Sequence, residues 1–95
     1  RWTTAETLVL LDVWNEHAVT LRKLKRNAEL IKEMAHIIRG RIPDQHRAAL
    51  IDWKKVRTKM ELLQKRFTEE RAGKGTTGGK PSTWPFFDTM AAIMG

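Results

Sequence analysis

Apolar residues recur along this chain at spacings of three and four, the mark of helices that bury one face. The clearest run is Trp53, Val56, Met60, Leu63 and Phe67. Asp52 stands just before it as a cap, and the pattern predicts a helix from there to about Ala72. Near the N-terminus, Leu10, Leu11, Val13 and Trp14 form another stripe, broken by Asp12, Asn15 and Glu16. Thr3 and Glu6 have the spacing of a capping box, so that helix is expected to begin near Thr4, with Trp2 folded back onto the stripe. Between these two, a helix capped by Asn27 is expected to bury Leu30, Ile31, Met34, Ala35 and Ile38 and to end at Gly40.

The breaks are equally informative. From Glu16 to Asn27 the periodicity fades, and Arg22, Lys23, Lys25 and Arg26 read as a basic loop or frayed turn. Pro43 and Asp44 signal a turn, followed by a short helix over Gln45 to Leu50. The stretch from Gly73 to Pro81 holds four of the six glycines and reads as a flexible linker. Beyond it, Trp84-Pro85-Phe86-Phe87 is expected to open a final helix, Pro85 in its first turn, with Phe87, Met90, Ile93 and Met94 facing inward. The prediction is an all-α fold: three principal helices around Trp2, Leu10, Trp14, Ile31, Ala35, Val56, Met60, Leu63 and Phe67, with the Trp84 to Met94 helix docked outside. All 95 residues make one small domain.

Charge changes the picture. Eighteen Lys and Arg against 11 Asp and Glu leave +7, distributed as +2 over 1–40, +4 over 41–72 and +1 over 73–95. The excess gathers on the third principal helix, where four of the six residues from Lys54 to Lys59 are basic and none is acidic. At about 100° per residue, Lys54, Lys55, Thr58, Glu61, Leu62 and Lys65 fall opposite the apolar stripe, flanked by Arg57 and Lys59. Cations at the start of a helix oppose its dipole, so they are not there to stabilise it. A merely solvated basic face is the plain alternative.

Other chemistries find little support. With no Cys, a disulfide framework, a thiolate zinc site and a cysteine nucleophile are excluded, and a reducing compartment suits the chain. Apolar runs such as Leu8 to Leu11 are far short of a membrane span, and the opening residues show no signal-peptide pattern, as in a domain excised from a longer protein. Glu33 and His36 form one E-x-x-H pair, but a helical di-iron site needs two, so no metal is expected, and the three His read as surface or rim residues. The Gly-rich stretch is not a phosphate loop, and no Ser-His-Asp succession stands out. The reading is of a non-enzyme, with no cofactor, no small-molecule substrate and no membrane partner.

Three segments then resemble the Myb/SANT-like domain of the trihelix type. The first helix reads Trp2-Thr3-x-x-Glu6-Thr7-x-x-Leu10-Leu11-x-x-Trp14, similar to that family's opening tryptophan helix. The third reads Asp52-Trp53-Lys54-Lys55-Val56-Arg57-Thr58-Lys59-Met60-Glu61-Leu62-Leu63, with Phe67 in the family's aromatic place. The ending, a Gly-rich linker and then Trp84-Pro85-Phe86-Phe87-Asp88-x-Met90-x-x-Ile93, resembles the extra helix of trihelix-type domains. Two departures stand out. Gly40 to Asp52 is longer than the family's short turn, and the usual Gln or Cys of the recognition helix is replaced around Lys55 and Val56.

The resemblance implies a helix-turn-helix bundle that binds double-stranded DNA sequence-specifically, in a nuclear regulator of transcription or a transposon-derived protein. On that expectation Lys54, Lys55, Arg57, Thr58 and Glu61 are candidates for base edges: Lys and Arg for guanine, Thr for the thymine methyl, Glu for the cytosine amine. Arg22, Lys23, Lys25, Arg26, Lys59 and Lys65 are candidates for phosphates. One recognition helix spans few base pairs, so a second DNA-binding copy or a protein partner is expected to add specificity. The alternative function is a SANT/MADF-like adaptor that binds an acidic or chromatin protein.

Overall fold

The computed structural model describes residues 1–73 and 83–95, which form five helices and, among those residues, no strand. They are α1 (Thr4–Lys23), α2 (Ala28–Arg41), α3 (Gln45–Ala49), α4 (Trp53–Arg71) and α5 (Phe87–Met94). The third principal helix of the sequence is therefore α4, and the Pro43-Asp44 signal produces α3.

Local chemistry sets most of the boundaries. Thr3 and Glu6 close the expected capping box: the Glu6 N–H donates to Thr3 Oγ1 and the Thr3 N–H to Glu6 Oε1, each at 3.1 Å. The Asp44 carboxylate caps α3 by accepting from the N–H groups of His46 and Arg47. Asp52 caps α4 by accepting from the Lys55 N–H at 2.8 Å. Gly73 ends α4 at φ 67°, left-handed backbone that costs glycine little, with its N–H donating to Glu70 O.

α1 packs on α2 and α5, and α4 packs on α2 and α5, with α3 attached to α2. The shared core holds Leu10, Leu11, Val13, Trp14, Ile31, Met34, Ala35, Ile38, Val56, Met60, Leu63 and Phe67, as the periodicity predicts. Trp2 sits half-buried at its edge.

Four expectations need correction. Arg22 and Lys23 belong to α1, because Ala18 and Leu21 still pack inward and carry the helix past the point where the stripe weakens; only 24–27 connect α1 to α2. Gly40 lies inside α2, which continues to Arg41 because burial of Ile42 sets its exit. Pro85 precedes α5 in a turn, and Phe86 occupies the cap position. The last helix is not docked outside: Met90 and Ile93 are as buried as any core residue, since α1 and α4 alone leave one side of the core open. Phe87 adds a ring contact to Phe67 at 5.2 Å. The linker expected over Gly73 to Pro81 lies, apart from Gly73, outside the described residues.

A core role for α5 makes Met90→Ala costly, about 2 to 5 kcal/mol by the usual transfer and cavity penalty. In a chain this short each kcal/mol lowers Tm by about 4 to 8 °C. Calorimetry is expected to show a fall of at least about 8 °C, and an unchanged Tm would place α5 outside the core after all.

Candidate nucleic-acid interface

α4 divides its residues cleanly. Val56, Met60, Leu63 and Phe67 are buried, whereas Lys54, Lys55, Arg57, Thr58, Glu61 and Lys65 are exposed and Lys59 is half-buried. The exposed side lies between two clefts. Lys54, Lys55, Thr58 and Lys59 share one, of about 640 Å³, with Arg1 and Trp2. Arg57 and Glu61 line the other, of about 300 Å³, beside Gln64, Ile31 and Asn27. Asn27, which follows Lys25 and Arg26 in the α1–α2 connection, lines this second cleft with Arg57. The candidate base-reading residues thus share one helix face, but their two ends look into different clefts.

None of Lys54, Lys55, Arg57, Lys59 and Lys65 forms an ion pair among the described residues. Their charges stay unneutralised on one exposed surface, which gives it a strong positive potential. Two are nonetheless positioned. The Lys55 ammonium donates to Leu50 O at 2.8 Å, and the Arg57 guanidinium lies over the Trp53 ring at 5.5 Å. Lys32, from α2, lies over the same ring at 5.2 Å. Trp53, half-buried, is therefore both an edge of the core and a platform for cations.

The loop candidates separate. Lys25 and Arg26 are exposed in the connection and Lys23 ends α1. Arg22 instead donates through Nη2 to Ile93 O, anchoring α5. Sequence reasoning missed Arg1, Trp2 and Gln64 at the edges of the α4 surface, and Lys32 beside it. The i,i+4 spacing of Trp53 and Arg57 was a usable signal for their stacking, whereas the arrival of Lys32 from another helix leaves no trace in local sequence.

An ion pair sets the angle of this surface. Arg47 of α3 donates through Nε to Glu6 Oε2 and through Nη2 to Glu6 Oε1, both at 2.8 Å, and also to Arg1 O. Arg39 donates to Ile51 O at 2.9 Å. Together these contacts hold the short α3–α4 connection, and so the start of α4, against α1 and α2. Hydrogen bonds from Arg47 hold the Glu6 carboxyl at about 2, well below the ordinary glutamate value; burial opposes the shift and the Thr3 N–H adds to it.

Among the described residues no group of three or more His, Cys, Asp or Glu could hold a metal ion, and no helix is long and apolar enough to cross a membrane. His36 and His46 are exposed, and His17 Nδ1 lies 2.7 Å from Val13 O.

The family model for the Myb/SANT-like DNA-binding domain matches residues 1–93. The chain belongs to this family. A Myb/SANT-like DNA-binding domain is not an enzyme class, and its helical bundle is the one described above. The chain is 28% identical over 94 residues to the trihelix transcription factor ASIL2 of Arabidopsis thaliana, a match that covers 99% of this chain. It spans about one-fifth of that relative's length. No solved structure gives a significant match.

The lowered value of Glu6 makes the stability of this Myb/SANT-like domain pH-dependent. A depressed folded-state pKa contributes stability that is complete above about pH 4.5 and is lost as pH falls toward 2. Melting curves across that window are expected to show a steep acid limb that Glu6→Gln flattens. A limb unchanged by that substitution would mean that other groups govern acid unfolding.

Proposed function

We propose that the domain reads double-stranded DNA sequence-specifically by placing α4 in the major groove. The observation that carries this reading is a long helix that is buried on one face and exposes an unpaired cationic face on the other, tied at its start by the Lys55–Leu50 hydrogen bond and the Arg47–Glu6 pair just before it. Lys54, Lys55, Arg57, Thr58 and Glu61 meet base edges, while Lys23, Lys25, Arg26, Lys59 and Lys65 meet phosphates on either side. Arg22 contributes charge to the same edge while its Nη2 anchors α5. A transcription factor among its relatives supports a nuclear role in transcriptional regulation. A transposon-derived DNA-binding protein is an equally suitable parent. A second copy or a protein partner would extend the short site that one helix covers.

Selection from random duplex DNA, followed by titration of two charge-reversed variants, tests the reading. Arg57→Glu is expected to cost at least about 1 to 3 kcal/mol on the selected site and to change the preferred sequence. Lys25→Glu is expected to weaken the selected and a scrambled duplex about equally. It should also make the salt dependence shallower, by about one unit of slope, as fewer counterions are released. Absence of an enriched site would leave only a basic surface, and variants that lose a protein partner while keeping duplex affinity would favour the adaptor.

A further inference from the structure

The cleft of about 640 Å³ beside α4 has a feature that DNA readout does not use: Trp2 and Leu62 stand among its charged lining. Leu62 lines it, 58% exposed on a face that otherwise carries Lys, Arg, Thr and Glu, together with the half-buried Trp2. Arg1, Trp2 and Lys55 also line a smaller adjoining cleft of about 100 Å³, which reaches Leu50, itself 55% exposed. The two clefts adjoin at those three residues. Leu62 and Leu50 thus flank Trp2 in two adjoining clefts, whereas a single exposed leucine would call for no explanation.

The rim decides what fits. Arg1, Lys54, Lys55 and Lys59 edge the larger cleft against a single acid, Asp52, whose Oδ1 accepts from the Lys55 N–H. A nucleic-acid backbone would satisfy the cations and leave the leucines without a partner. A neutral apolar peptide would do the reverse. We propose that this groove docks an amphipathic acidic peptide segment of a partner protein, whose apolar side chains cover Trp2, Leu50 and Leu62 while its carboxylates meet the rim. Because Lys54, Lys55 and Thr58 belong to both surfaces, peptide and DNA exclude one another. The competition rests on the proposed DNA reading; the docking does not.

A fluorescein-labelled peptide of about 16 residues, with Leu at i, i+3, i+4 and i+7 and Glu or Asp elsewhere, is the probe. Its control carries Ser in place of Leu at equal charge. Fluorescence anisotropy with the intact domain is expected to show binding at least about tenfold tighter than the control, and Leu62→Ser is expected to abolish most of that difference. Leu50→Ser is a second variant with the same direction, and both positions are exposed enough that Tm is expected to hold. Excess selected duplex is expected to displace the peptide, and Leu62→Ser is expected to leave duplex affinity within about twofold. Equal binding of the two peptides would reduce the groove to bare charge and overturn the proposal. So would a Leu62→Ser domain that loses duplex affinity but not peptide affinity, since the groove would then be a DNA surface. A domain that binds the peptide but no duplex keeps this proposal and sinks the DNA reading.

Discussion

The carboxylate of Glu6 is the point on which the orientation of the molecule depends. Its two oxygens serve the first turn of α1, through the Thr3 N–H, and the fork of Arg47 on α3. Glu6 is buried, so the pair works where water competes little, and removing either partner would leave a charge with nothing opposite it. α3 has only five residues and buries only Ala48, so packing on α2 gives it a small hold. The ion pair makes it a rigid spacer, and α4 inherits its direction from that spacer.

α4 itself combines two demands that pull apart. Its inner face is a regular apolar stripe, and its outer face concentrates like charges near the positive end of the helix dipole, where they repel one another and the dipole. The local compensations are visible: the Asp52 cap, the Leu50 carbonyl that accepts from Lys55, and the indole of Trp53 beneath Arg57. None of them neutralises the surface. A helix that keeps such a face without acidic partners sacrifices stability to remain positively charged, the kind of local conflict expected where a partner supplies the missing charge.

Much of this was legible in the sequence because it is local. The capping box, the Asp52 cap and the stripe from Val56 to Phe67 are set by neighbours within four positions, and each appears where the spacing puts it. The family resemblance extended to the fold, and the outer-face residues of α4 were recoverable from the helical projection. What stayed hidden is long-range. Glu6 and Arg47 stand 41 positions apart, and Arg22 and Ile93 stand 71 apart. No periodicity reports a guanidinium that crosses between elements, which is why Arg22 reads as a free loop cation and α5 as an outer helix. The gathering of Trp2, Leu50 and Leu62 at two adjoining clefts is hidden for the same reason, since three separate segments contribute to it.

The seating of Met90 and Ile93 between α1 and α4 also governs the order in which the molecule can be made. A ribosome delivers the chain from its N-terminus, and until the last helix emerges α1 and α4 keep an uncovered apolar side. The core can close only once α5 has left the exit tunnel, because Met90 and Ile93 supply that side of it. The nascent domain therefore passes through a window in which its cationic α4 segment is already present and its interior is still exposed to chaperones or to another copy.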